Sequence, residues 1–144
     1  MTPIIALDFK DKTTTLDFLS QFPKEEHLFV KVGMELFYAE GPAIITEIQQ
    51  ARPVSIFLDL KLHDIPNTVE KAAWQLGKLG VAMTTVHAAG GKDMMIAAKR
   101  GLLAGAKAAG HPAPKMLAIT QLTSTDQTML TNQLSIETVS YTHL

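Results

Sequence analysis

Four charged side chains of alternating sign occur close together around one apolar segment of the chain. Asp59 and Lys61 stand at the end of the segment VSIFLDL, Asp64 follows three positions later, and Lys31 lies in the preceding apolar segment. Residues two apart on a strand share a face, so Asp59 and Lys61 are expected to lie side by side. Carboxylates and ammoniums placed alternately can neutralise one another without a metal ion. Such an arrangement fixes a lysine where it can stabilise a developing negative charge and donate a proton.

A surface network of ion pairs is the ordinary explanation for such a pattern. However, Asp59 and Lys61 interrupt the most apolar segment at its carboxyl end, where burial is expected. Buried charges are costly, and clusters of them are found preferentially at functional sites. We therefore favour a functional site over a structural ion-pair cluster.

Apolar segments of strand length alternate with segments of helical periodicity along the chain. The pattern predicts strands at 3–7, 28–32, 54–60, 81–86 and 115–119, and helices at 12–22, 35–50, 68–79 and 93–108. Pro66 suits a helix start, and Ser124, Thr125 and Asp126 offer N-cap chemistry for a further helix. This alternation is typical of repeated βαβ units with a parallel sheet.

Each predicted strand ends in, contains or leads into ionisable or hydroxyl side chains. In chain order these are Asp8, Lys31, Asp59 with Lys61, His87, and Gln121 with Thr123 and Ser124. In a (β/α)8 TIM barrel the carboxyl ends of several strands build the active site, whereas a flat doubly wound sheet gathers groups mainly at its switch point. We therefore predict a barrel. Because a typical barrel needs about 250 residues, we expect an incomplete one here, with about the first five βα units.

The composition excludes several classes of function. The chain has 144 residues, 47% of them hydrophobic and 19% charged, a net charge of −1 and no cysteine. The near-neutral charge gives no reason to expect a nucleic-acid partner, and no apolar segment is long enough to span a membrane. The absence of cysteine excludes thiolate metal sites and fits a reducing compartment. With no signal peptide recognisable, we expect a cytoplasmic protein.

The segment 59–69, DLKLHDIPNTV, resembles the D-x-K-x-x-D-I-P-x-T-V signature of the orotidine 5′-phosphate decarboxylase family. Four other segments resemble the family in order and spacing: ALDF, VKVGMELF, TVHAAGG and ITQLTSTD. The resemblance covers nearly all of residues 1–135 and is greatest to the bacterial branch. We assign 1–138 to a partial barrel domain, and 139–144 (VSYTHL) has no counterpart in the family pattern.

The resemblance implies a (β/α)8 homodimer that converts orotidine 5′-phosphate (OMP) to UMP and carbon dioxide without metal or cofactor, in pyrimidine biosynthesis. Lys61 matches the lysine that protonates C6 of the substrate after carbon dioxide leaves. Lys31, Asp59 and Asp64 match the rest of the charged network, and Asp64 reaches into the site of the partner subunit.

The resemblance also implies contacts with the substrate, in addition to those of Lys31, Asp59 and Asp64. Asp8 matches a carboxylate that contacts the ribose, and Thr123 matches a residue near the base. Ile65 and Thr68 match residues that also serve the neighbouring subunit's site.

Two other functions stay open at this point. Metal-dependent sugar-phosphate enzymes of the same superfamily, such as 3-keto-gulonate-phosphate decarboxylase and hexulose-phosphate synthase, share the D-x-K-x-x-D pattern. They carry an acid for Mg²⁺ on the second strand, where this chain has Lys31. The other alternative is a non-catalytic partial barrel. Barrels often bind phosphate after strands seven and eight, so we expect the 144-residue chain alone to fold poorly and to have little activity.

Overall fold

The computed structural model describes residues 3–136, so the prediction for 139–144 lies outside the described residues. The strands are β1 (Ile5–Ala6), β2 (Leu28–Gly33), β3 (Val54–Leu62), β4 (Met83–His87) and β5 (Lys115–Ile119). The helices are α1 (Lys12–Leu19), α2 (Met34–Glu40), α3 (Ala43–Ala51), α4 (Pro66–Lys78), α5 (Gly91–Ala108) and α6 (Gln127–Asn132). A short 3₁₀ turn, Ala88–Gly90, joins β4 to α5.

The five strands form one parallel sheet in the order β1-β2-β3-β4-β5, with helices between consecutive strands. Sequential neighbours that are all parallel are the arrangement of a (β/α) barrel, in which each helix returns the chain to the same end of the sheet. The predicted parallel sheet and incomplete barrel are confirmed. The Asp126 carboxylate caps α6 by accepting a hydrogen bond from the Met129 amide at 2.7 Å, as the N-cap chemistry predicted.

One predicted element is wrong: the single helix expected over 35–50 is two helices, α2 and α3. The break falls at Gly41, which has a positive φ of 71°, and at Pro42, the N-cap of α3. Pro42 has no amide hydrogen to donate to a preceding turn, and its ring disfavours helical backbone at the residue before it. The apolar spacing of 35–50 continues across this Gly-Pro pair, so helical periodicity alone does not reveal the break.

The hydrophobic core lies between the helices and one face of the sheet. Alternate strand residues are directed into it, among them Val30 and Val32 on β2 and Ile56 and Leu58 on β3, all at most 1% exposed. They pack against apolar side chains of the helices: Leu19, Ile44, Ile45, Ile48, Val69, Ala73, Met94 and Leu102.

The opposite face of the sheet carries the remaining alternate residues. Strand register aligns one row across all five strands: Ala6, Lys31, Phe57, Met83 and Lys115. The next row toward the carboxyl ends brings Gly33 beside Asp59 and Thr85 beside Leu117. Of the predicted functional side chains, Lys31 and Asp59 lie on this second, less buried face.

Helices α4 and α5 are in direct backbone contact. A Cβ atom added at Gly101 would overlap the carbonyl oxygen of Glu70, and one added at Gly105 would overlap that of Trp74. Glycine at these positions allows the two helix axes to approach closely. This contact fixes the position of α4 against α5.

Candidate active site

The central pair of the candidate site is Lys61 with Asp59, at the carboxyl end of β3. The Lys61 Nζ donates a hydrogen bond to Asp59 Oδ2 at 2.9 Å. The two side chains share a face as predicted, although the strand is irregular here. The pairing with β4 passes from Leu58–Thr84 to Leu62–Val86, so β3 holds two extra residues, and Lys61 has a positive φ of 51°. Left-handed backbone is unfavourable for a lysine and is concentrated at functional sites.

Thr85, on β4, connects both members of this pair. Its hydroxyl donates to Asp59 Oδ1 at 2.8 Å and accepts a hydrogen bond from the Lys61 backbone amide at 2.9 Å. Its side chain is fully buried. Asp59 thus binds Thr85 through one carboxylate oxygen and Lys61 through the other.

Lys31 forms a separate pair with Asp8. The Lys31 Nζ is 3.0 Å from Asp8 Oδ1, which joins the carboxyl ends of β2 and β1. Gly33 lies beside this pair, since a Cβ added there would be 3.6 Å from both charged atoms. Three charges of the predicted network, Lys31, Asp59 and Lys61, thus take part in two ion pairs, Lys31 with Asp8 and Lys61 with Asp59. Asp64, the fourth predicted charge, belongs to neither pair.

A cavity of about 700 Å³, here the first cavity, opens at the carboxyl ends of β3, β4 and β5. Asp59 and Lys61 line it on one side, and Thr123 lines it on the other, where the chain leaves β5. Phe57 and Leu117 supply apolar walls. A cavity of this size that combines apolar walls with converging polar side chains has the character of a small-molecule site.

Asp64 and Thr68 lie elsewhere, on a second cavity of about 370 Å³ that they share with Tyr38 and Lys61. The Asp64 Oδ1 accepts the Ile65 amide at 2.6 Å. The side chains of Ile65 and Tyr38 are 65% and 71% exposed among the described residues. The predicted residues thus divide into two groups, and Lys61 lies between them.

Two histidines border the same region. The rings of His63 and His87 are 5.2 Å apart, and His87 lines both cavities. Burial lowers the pKa of His87, and the positive charges of His63 and Lys61 lower it further. A neutral imidazole is therefore favoured next to the Lys61 ammonium.

Sequence reasoning missed Thr85 and left His87 outside the catalytic set. One signal was available for Thr85, because it stands two positions before His87 on the same strand and so shares its face. The link from Thr85 to Asp59 and Lys61 depends on strand register, which the sequence does not give.

Within residues 3–136, no group of three or more histidine, aspartate or glutamate side chains could hold a metal ion. In the same part of the chain, no helix is both long enough and apolar enough to cross a membrane.

The parallel sheet with charged and hydroxyl side chains at the carboxyl ends of its strands defines a protein of the (β/α)-barrel class. The model of the "Orotidine 5'-phosphate decarboxylase / HUMPS family" matches residues 1–144. The chain belongs to this family, as the motifs predicted.

Named relatives agree with this assignment. The chain is 63% identical over 133 residues to an orotidine 5′-phosphate decarboxylase of Lactiplantibacillus plantarum, covering 92% of this chain and 56% of that protein. It is 62% identical over 125 residues to one of Enterococcus faecalis, covering 87% of this chain and 52% of that protein. A crystal structure of the decarboxylase from Lactobacillus acidophilus superposes with a TM-score of 0.88 at 47% identity, covering 95% of this chain and 60% of that one. The chain thus spans little more than half the length of its curated relatives.

Proposed function

We propose that the full-length product of this gene decarboxylates OMP to UMP and carbon dioxide, and that the described residues supply its charged reaction centre. One observation carries the proposal. The Lys61 ammonium is held 2.9 Å from Asp59 on an irregular strand end that faces a cavity large enough for a nucleotide base.

The proposed reaction needs a fixed positive charge at C6 of the pyrimidine. The bond between C6 and its carboxylate breaks, carbon dioxide leaves, and the electron pair stays on C6 in an in-plane orbital that the ring delocalises poorly. The Lys61 ammonium stabilises this pair and transfers one proton to C6, and solvent then restores the ammonium. Asp59 keeps Lys61 in place through the ion pair at 2.9 Å.

Further residues are proposed to bind the substrate. Asp8 contacts the ribose, with Lys31 holding its carboxylate at 3.0 Å. Thr123 contacts the substrate near the base, consistent with its place on the wall of the first cavity opposite Lys61. Asp64 is proposed to reach into the neighbouring subunit's site and to lie against the leaving carboxylate there.

The proposed assembly is a homodimer with shared active sites. Asp64, Ile65 and Thr68 are the residues expected to serve the partner's site, and all three are exposed among the described residues. Asp64 and Thr68 line the second cavity rather than the first. Such a position suits residues that complete a site on another subunit.

Complementation between inactive variants tests the shared site. Lys61→Ala and Asp64→Asn subunits are co-expressed in the full-length protein. In a shared site, each mixed dimer contains one intact centre, so random mixing recovers about a quarter of wild-type activity. No recovery in mixed dimers would show that each subunit uses its own Asp64.

A metal-dependent sugar-phosphate enzyme is the alternative within the family. Lys31 argues against it, because an ammonium paired with Asp8 occupies the strand position where those enzymes carry an acid for Mg²⁺. We therefore propose a reaction without metal or cofactor. The absence of cysteine fits a cytoplasmic location.

The deciding experiment is OMP turnover by the full-length protein, followed by its absorbance in the presence of a metal chelator. We expect turnover that resists the chelator and is lost in Lys61→Ala. A folded full-length protein without turnover would contradict the proposal, and sugar phosphates with Mg²⁺ would then be assayed.

A further inference from the structure

The irregularity in β3 leaves Lys61 in a conformation that a regular strand would not impose. Two extra residues separate the paired positions Leu58 and Leu62, and Lys61 has a φ of 51°. Its amide therefore bonds to a side chain of β4, the hydroxyl of Thr85, at 2.9 Å. A buried amide without any partner would be costly, so this bond stabilises the unfavourable backbone.

The same hydroxyl also orients Asp59. A hydroxyl group has one hydrogen to donate, and Thr85 donates it to Asp59 Oδ1 at 2.8 Å. That contact directs the other carboxylate oxygen, Oδ2, toward Lys61 Nζ. One buried hydroxyl thus fixes the backbone of Lys61 and the carboxylate that holds its side chain.

We propose that Thr85 is a positioning residue, which sets the Lys61 ammonium at the reacting carbon by holding both the Lys61 backbone and Asp59. This inference rests on the proposed decarboxylation. Thr85 lies behind Asp59 and lines neither cavity. Its effect on the reaction is exerted through Lys61 and Asp59.

The neighbouring threonine offers a matched control. Thr84 is also buried, and its hydroxyl also bonds from β4 to β3, donating to the Leu58 carbonyl at 2.8 Å. Its side chain lies on the opposite face of the sheet and bonds to the strand backbone, not to the Asp59 carboxylate or to Lys61. Replacement of either threonine by valine removes one hydroxyl at nearly constant volume.

The test compares Thr85→Val, Thr84→Val and Thr85→Ser in the full-length protein. We expect Thr85→Val to lower kcat by about 10- to 100-fold, the loss typical of a misplaced reacting group, with KM changed by less than about twofold. Thr84→Val should retain kcat even where its melting temperature falls equally. Thr85→Ser, which keeps the hydroxyl, should restore most of the kcat. If Thr85→Val does not fold, Thr85→Ala replaces it.

Equal kcat in both valine variants, or no restoration by serine, would overturn the proposal. A crystal structure of the Thr85→Val protein gives an answer that does not depend on the reaction. Separation of Lys61 Nζ from Asp59 beyond about 4 Å supports the positioning role, whereas an unchanged pair and an unchanged Lys61 backbone refute it. Failure of the wild-type protein to turn over OMP would instead refute the proposed function.

Discussion

Replacing Asp59 by asparagine removes the charge opposite Lys61 with little change of shape. The amide oxygen can still accept the Thr85 hydroxyl. The amide NH2 then faces the Lys61 ammonium, donor against donor, so the variant removes the ion pair together with its hydrogen bond. Two unit charges 2.9 Å apart interact by about 6 kcal/mol at an effective dielectric constant of about 20. The Lys61 and Asp59 side chains keep 26% and 14% exposure. Solvent screening therefore reduces the net attraction to about 2–3 kcal/mol, within the range of hydrogen bonds to charged groups. If all of this attraction serves to hold the ammonium at C6 in the transition state, its loss lowers kcat by about 30- to 150-fold, which is the upper limit of the expected effect.

The measurement is OMP turnover at saturating substrate by the full-length Asp59→Asn protein. Glu47→Gln is the matched control, because it also removes a carboxylate from a lysine pair, that of Lys12 at 3.2 Å, and neither Glu47 nor Lys12 lines the first or the second cavity. The control should keep wild-type kcat. If Asp59→Asn stays within about twofold of the wild type and folds equally well, Asp59 does not hold Lys61 for the reaction.

Three further predictions concern titration, packing and folding. The pKa of His87, measured by NMR titration of the full-length protein, should lie below its usual value of about 6.5. The substitution His63→Gln should raise the pKa of His87, because it removes a nearby positive charge. An unchanged pKa in this variant would contradict the electrostatic effect of His63 on His87. Because the folded state disfavours protonated His87, this residue should cost stability as pH falls through about 6.5. The substitution Gly105→Ala should lower the free energy of unfolding by about 2 kcal/mol, because the Cβ of the alanine would overlap the Trp74 carbonyl oxygen. A higher melting temperature of this variant would refute the close contact. The 144-residue chain alone should fold poorly and lack activity, because the inner face of its sheet is uncovered. Circular dichroism would measure its folding and an OMP assay its activity, and a compact, active dimer would contradict the prediction.

The order of strands and helices could be predicted because each element has its own local pattern. The run VSIFLDL on β3 and the Pro66 start of α4 are examples. The break at Gly41–Pro42 also has a signal in the sequence, the Gly-Pro pair, but the apolar spacing continues across it. Two closely spaced helices and one long helix can bury the same apolar positions, so periodicity alone does not separate them.

The site residues could be named from motifs, but their partners could not. Which charge pairs with which depends on register between strands that are distant in the sequence, and a shift of register redirects every side chain. Hence the pairing of Lys31 with Asp8, the left-handed backbone of Lys61 and the two bonds of Thr85 all required the three-dimensional structure. The roles of these residues in substrate binding stay predictions.

The glycine contacts between α4 and α5 have a consequence for motion. Side chains at a helix interface can change rotamer and absorb small displacements, but backbone atoms in contact cannot. From the close approach of Gly101 to Glu70 and of Gly105 to Trp74 we therefore expect α4 and α5 to move together. A shift of Thr68, at the start of α4, must carry α5 with it. A rearrangement at the second cavity is therefore expected to displace α5 as well as α4.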